Sequence, residues 1–157
     1  MLGRETSRLT KGQIQNEIQK YGVTLTDYQL DGVDFMLSRA NVLNADDMGL
    51  GKTYQAVATA ILSNTSRNLI VAPASLLATW LNDGFRPFGL LNQVQTVKSK
   101  TILNKNKKFI LVSYEWLTKN VDKAIGYDPE LIIFDEAHYL KNENSQRTKS
   151  AMELRET

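Results

Sequence analysis

The stretch NVLNADDMGLGKTYQAVATAIL, Asn41 to Leu62, decides how the rest of the chain is read. A short aliphatic run at Val42-Leu43 gives way to Asp46, Gly49 and Gly51, and then to a segment carrying apolar residues from Ala56 to Leu62. A strand that turns through glycines directly into a helix is the setting a phosphate-binding loop requires. Gly49 and Gly51 let backbone N–H groups turn inward and approach phosphate oxygens closely. Lys52 would reach the β- and γ-phosphates as a point charge, and the Thr53 hydroxyl would ligate Mg²⁺. The helix that follows adds the positive end of its dipole. The strict G-x-x-x-x-G-K-[ST] pattern asks for glycine at position 46, where Asp46 stands. A glycine-rich strand-to-helix turn with an exposed lysine is the plainer reading of the same letters.

Outward from this stretch, short apolar runs alternate with helical patterns. NLIVAP precedes a helix from Ser75 to Leu81, FILVSY a helix through Trp116 and Leu117, and LIIFDE a polar helix from about Ser145. QVQTVK reads as a weaker strand. Near-continuous apolar strands separated by helices mean a parallel sheet covered on both faces. Right-handed crossovers then bring every strand's C-terminal end to one edge, where ligands bind in open α/β folds. Upstream, Ile14, Ile18 and Tyr21 recur at i, i+4, i+7 and predict an amphipathic helix ending near Gly22. A second helix follows from about Asp27 with Leu30, Val33 and Leu37 on one face.

LIIFDEAH, Leu131 to His138, is the second stretch with chemistry in it. Asp135 and Glu136 emerge from a buried strand on the same sheet edge as the glycine-rich loop. There Asp135 can hold Mg²⁺ opposite Thr53, and Glu136 can orient or deprotonate a water in line with the γ-phosphate. A strand ending in two solvated acids is common. The pairing of both stretches in one alternating chain argues for the chemical reading.

Composition narrows the remaining classes. The 157 residues fit one domain, and 42 % hydrophobic with 23 % charged residues is the globular balance. No repeat or low-complexity tract divides the chain. The absence of Cys excludes disulfides, thiolate zinc sites and thiol nucleophiles, and a Ser-His-Asp triad would stand on His138 alone. No apolar run approaches the ~18–20 residues of a membrane span, so we expect a soluble, intracellular protein with no membrane partner. A formal charge of +2 is too small to diagnose nucleic acid.

Taken together, these residues resemble the N-terminal RecA-like lobe of superfamily two helicases, specifically the Swi/Snf-type DNA-dependent ATPases. LTDYQLDGVDFML resembles the Q-type motif, ADDMGLGKT motif I, LIVAPASLLATWLNDGFRPF motif Ia with its tryptophan helix, and DEAHYLKN motif II. ILVSYEWL is similar to a nucleic-acid-contacting segment after motif Ia. The resemblance covers roughly residues 25–151 and implies an α/β, RecA-like P-loop NTPase fold; residues 1–24, read from their periodicity, form an amphipathic helical extension before it. It implies ATP and Mg²⁺ as cofactors. Met48, Gly49, Leu50, Gly51, Lys52, Thr53 and Tyr54 would cradle the nucleotide and Gln29 would read the adenine edge. Thr53 and Asp135 would hold metal, and Glu136, with Lys52 and Asp135, would be catalytic. Ser75, Ser113 and Tyr114 would contact DNA, and His138 would couple the two sites.

Each role has a plainer competitor. Gln29 can be an exposed helix position, Tyr28 packing, Ser75 an N-cap, Trp80 core beside Leu77 and Leu81, and His138 a partly buried loop residue. Lys98, Lys100, Lys105, Lys107 and Lys108 read first as a solvated loop and second as a DNA-phosphate contact. The family's motif III strand and second lobe do not follow within these residues, so a sheet gap is expected between the strand before the glycine-rich loop and the strand before the acidic pair. That gap predicts a truncated form, or a short form completed by rearrangement or a partner chain. Without the second lobe's arginine finger, worth about 10³–10⁵ in rate, nucleotide binding with little hydrolysis is expected. The expected partners are DNA, in duplex form, and a second RecA-like lobe or partner chain. The expected place is the cytoplasm of a bacterial or virus-infected cell, or the nucleus if the source is eukaryotic. The competing class is a single-lobe, non-catalytic nucleotide-binding or helicase-interacting module of viral origin. A P-loop kinase or GTPase fits worse, given DEAH and no guanine-reading N-K-x-D.

Overall fold

A computed structural model describes residues 9–38, 42–44, 52–98 and 102–136, with 42–44 described as backbone. Helix α1 spans Lys11–Gln19 and α2 spans Asp27–Leu37. Each opens with the same device. The Thr10 and Thr26 hydroxyls accept from the backbone N–H of Gln13 and Gln29, whose side-chain oxygens in turn accept from the threonine N–H groups. Two otherwise orphaned donors are satisfied at each start. Ile14 and Ile18 are buried as the spacing predicts, and Gly22 takes φ +74° just beyond the first helix. In α2 the buried face is Leu30, Val33 and Met36, with Leu37 packed at the margin of the core, one position away from the expected stripe. Tyr28, expected to pack, is 58 % exposed.

Five strands form the sheet: β1 Val42–Asn44, β2 Asn68–Ala72, β3 Val94–Thr96, β4 Phe109–Ser113 and β5 Leu131–Phe134. Their order is β1-β5-β2-β4-β3, and each neighbouring pair runs parallel. The expected strand at QVQTVK is therefore β3, at an edge. Helix α3, Lys52–Leu62, follows β1. Where sequence reading expects a gap, Val42–Asn44 pairs directly with Ile132–Phe134. Among the described residues no strand intervenes, so the backbone groups on that side of β5 are met by β1.

Alternation along the strands builds a core on each face. Ile70, Ala72, Phe109, Leu111, Leu131 and Ile133 face α1, α2 and α3. Leu69, Val71, Ile110, Val112, Ile132 and Phe134 face the other way, towards α5 (Tyr114–Lys119) and α6 (Val121–Tyr127). Strands apolar on both faces are what a doubly covered parallel sheet demands. Helix α6 has no counterpart in the sequence reading. The polar helix expected from Ser145 lies outside the described residues.

The segment after β2 departs from the simple helix expected from Ser75. A 3₁₀ turn at Ala74–Leu76 leads into one α-helical turn, α4, at Leu77–Thr79, then a π-helix at Trp80–Phe85 and a 3₁₀ turn at Arg86–Phe88. The π-helical part lies along α3. A Cβ placed on Gly84 would sit 3.3 Å from Val57 Cγ2 and 3.6 Å from Thr53 Cβ, so the two segments approach closely here.

Candidate nucleotide site at the C-terminal edge of the sheet

The position of Asp135 follows from the alternation. Its backbone N–H donates to Val71 O at 2.8 Å, carrying the ladder one residue past β5. Phe134 faces the α5–α6 side, so Asp135 falls on the side of α3 and the π-helix. Its carboxylate is fully buried. Glu136 then takes φ +55°, a left-handed conformation that costs a non-glycine residue of order 1–3 kcal/mol. That turn aims its carboxylate back towards the same lysine.

Lys52, in the first turn of α3, meets both acids. Its Nζ lies 2.8 Å from Asp135 Oδ1 and is bonded to Glu136 Oε2. The residues are 83 and 84 positions apart in sequence, and the fold makes them one cluster carrying one positive and two negative charges. The Lys52–Asp135 contact is a charge pair without hydrogen-bond geometry, so among the described residues the buried Oδ1 accepts no directed hydrogen bond.

The other polar atoms of Asp135 are held. Trp80 Nε1–H donates to Oδ2 at 2.8 Å, and the Tyr114 hydroxyl donates to the Asp135 carbonyl at 2.8 Å. Neither contact was expected from sequence. Trp80 is core, as its plainer reading had it, but its indole N–H is also the acid's hydrogen-bond donor. Tyr114 is a correction. Its ring is 2 % exposed beside Phe134, and its hydroxyl is engaged, so the side chain is not presented to a nucleic acid.

The remaining expected positions divide. Ser113, half-buried, caps α5 by accepting from Trp116 N–H. Ser75 is exposed but lies inside the 3₁₀ turn that Pro73 precedes, and it makes no capping bond, which corrects the N-cap reading. Gln29 is partly buried at the third position of α2, its amide oxygen engaged with Thr26 N–H. Tyr54 turns its ring onto Phe88, 5.0 Å between centroids, and burial raises its pKa. Lys107 donates to Asn92 O, and Lys108 stands 5.9 Å over the Phe109 ring. Met48, Gly49, Leu50, Gly51, Lys100 and His138 lie outside the described residues.

The donor set suits Mg²⁺. Magnesium takes hard oxygen ligands and is commonly held by one or two carboxylates together with substrate phosphates. Asp135 Oδ1, buried without a directed hydrogen bond among the described residues, and the hydroxyl of Thr53 beside Lys52 are oxygens of that kind. Among the described residues no group of three or more His, Asp or Glu side chains forms a self-contained metal cage. No helix among them is long and apolar enough to cross a membrane.

Comparison with known proteins places this geometry in context. The SNF2-related domain family matches residues 28–157. The chain is 38 % identical over 146 residues to the SWI/SNF-related matrix-associated actin-dependent regulator of chromatin subfamily A-like protein 1 of Xenopus tropicalis, covering 86 % of this chain. It is 33 % identical over 174 residues to the related subfamily A protein containing DEAD/H box 1 homolog of Caenorhabditis elegans, covering 97 % of this chain. The solved Sulfolobus solfataricus SWI2/SNF2 ATPase core in complex with dsDNA superimposes with a TM-score of 0.71 at 26 % identity, over 84 % of this chain. All three are longer: the chain spans 15 % and 18 % of the two relatives and 30 % of the solved chain.

Proposed function

The chain belongs to the SNF2-related domain family, and from that premise we propose that it is the ATP- and Mg²⁺-binding lobe of a Swi/Snf-type DNA-dependent ATPase. The observation that carries this reading is the convergence of Lys52 with Asp135 and Glu136.

The charges explain how the site would select its ligand. With Lys52 held between two acids, the cluster is net negative, and a bare triphosphate entering it meets Asp135 and Glu136 as like charges. The chemistry a bound Mg²⁺ would supply is positive charge against the charge developing on the phosphates. Asp135 and Thr53 would hold that ion. Lys52 would exchange its carboxylate partners for phosphate oxygen. Glu136, relieved of Lys52, would accept a proton from the attacking water or orient it. The start of α3 would add the positive end of its helix dipole on the phosphate side. Gln29 would read adenine after releasing Thr26 N–H, and His138 would couple nucleotide to nucleic acid.

Duplex DNA is proposed as the partner of the intact enzyme, supported by the dsDNA complex of the Sulfolobus relative. Ser75 and Ser113 are the proposed contacts that remain. A second RecA-like lobe would close the site, and the location would be wherever the cell keeps its DNA. On its own, this lobe should bind nucleotide and turn it over slowly. Titration with a fluorescent ATP analogue tests the reading: binding should require Mg²⁺, disappear in Lys52→Ala, and survive Glu136→Gln with residual hydrolysis gone. Mg²⁺-independent binding indifferent to Lys52→Ala would refute it.

A further inference from the structure

Asp135 is the buried acid on which the proposed site turns, and one side chain governs the oxygen that Lys52 does not face. Trp80 is fully buried at the first position of the π-helix Trp80–Phe85, and its Nε1–H points at Asp135 Oδ2 at 2.8 Å. The widened turn is rare in proteins and recurs at functional sites. Here it also brings Gly84 against Thr53, so one six-residue turn braces both proposed metal ligands.

Packing alone does not account for the contact. The ring of Phe85 lies 6.3 Å from Trp80 and 4.8 Å from Phe109, a cluster that any large aromatic at position 80 would complete. The chain's other tryptophan supplies the contrast. Trp116 is also buried, yet its indole N–H has no hydrogen-bond partner among the described residues. An indole N–H is a donor only, so at Trp80 it can do one thing for a carboxylate: fix one oxygen and thereby the rotation of the group. With Oδ2 held by Trp80, Oδ1 is the oxygen left to face Lys52 and the phosphate side.

We propose that Trp80 is a positioning residue for the metal site, locking the Asp135 carboxylate through Nε1–H···Oδ2 so that Oδ1 is presented to Mg²⁺. The proposal rests on the reading of Asp135 as a metal ligand. Donors that orient a ligand in this way commonly matter 10–100-fold, roughly, for metal affinity.

Two experiments test it. In the first, the fluorescent ATP analogue is titrated against Trp80→Phe at a series of Mg²⁺ concentrations and again in chelator. The half-saturating Mg²⁺ concentration should rise about tenfold or more, while metal-free affinity changes little. A folded Trp80→Phe chain with an unaltered Mg²⁺ requirement overturns the proposal and leaves the nucleotide reading intact. Unmodified protein whose nucleotide binding ignores Mg²⁺ overturns the metal reading, and the proposal with it. In the second, which does not depend on Trp80→Phe folding, the indole ¹H–¹⁵N resonances of the ligand-free chain are followed, with Trp116→Phe used for assignment. Asp135→Asn should move the Trp80 resonance and leave that of Trp116 in place. An unmoved Trp80 resonance contradicts the hydrogen bond and the proposal.

Discussion

The two edges of this sheet are made by the same three central strands and treat polar groups in opposite ways. At the N-terminal edge, Asn68 Nδ2 donates to Lys108 O and Thr65 O, and its carbonyl accepts from the Thr65 hydroxyl. The Tyr127 hydroxyl accepts from Asn68 N–H and donates to Lys107 O. Glu130 takes the N–H groups of Ser66 and Arg67, and Arg67 Nε donates to Asp128 O. The buried members of this network are neutral, and each bond closes the protein on itself. At the C-terminal edge, Asp135 is buried as a carboxylate, Glu136 adopts an unfavourable backbone conformation, and a lysine links them. Buried polar capacity at one edge is neutral and completes the fold; at the other it is a charged cluster, the one proposed to receive the ligand. The difference lies in whether the buried polar side chain is neutral, as Asn68 is, or a carboxylate paired with a lysine, as Asp135 is.

Substitutions at the two edges should therefore fail in different assays. The largest effect belongs to Lys52→Ala. Binding of the ATP analogue should weaken by at least about two orders of magnitude, and the buried Asp135 loses its countercharge, so thermal stability should fall as well. Asn68→Ala comes next. It takes the side-chain partner from Thr65 O and from the buried Thr65 hydroxyl and should lower unfolding free energy by about 1–3 kcal/mol in denaturant titration, with nucleotide affinity held within about twofold. A binding loss as large as that of Lys52→Ala would erase the distinction between the edges. The smallest effect is at high pH. Burial pushes the Tyr127 hydroxyl up to about 12. Below pH 10 both folded and unfolded chains keep the proton. Between pH 10 and about 12 only the unfolded chain releases it, so stability falls with rising pH across that window. Tyr127→Phe should flatten that limb in pH-dependent melting; an unchanged limb would assign it elsewhere.

Much of this arrangement is legible in the letters, for reasons that differ by element. NLIVA, FILVS and LIIF are apolar at every position or nearly so, and such runs have one stable home, between two layers of helices. The Lys52 and Asp135–Glu136 stretches could be paired because each follows a strand, and parallel strands end together. Trp80 shows where that reasoning stops. Spacing with Leu77 and Leu81 says that the ring is buried, but the indole N–H finds Asp135 only through a π-helical turn that spacing does not reveal. Tyr114 is named through the likeness of ILVSYEWL to a nucleic-acid-contacting segment, which says nothing of its burial; its hydroxyl donates to Asp135 O. Gln29 belongs to a capping box that Thr26 three residues earlier already spells out. Helix α6 carries Gly126 and only two buried side chains, too short a pattern for periodicity to register.

The convergence of two distant segments on one metal-nucleotide is best probed with Mn²⁺ in place of Mg²⁺, bound with a non-hydrolysable ATP analogue, while backbone amide resonances are followed. Paramagnetic broadening should reach Lys52, Thr53, Asp135 and Glu136 together and leave Asn68 and Tyr127 sharp. Broadening confined to one of the two segments, or centred on the opposite edge, would contradict the account.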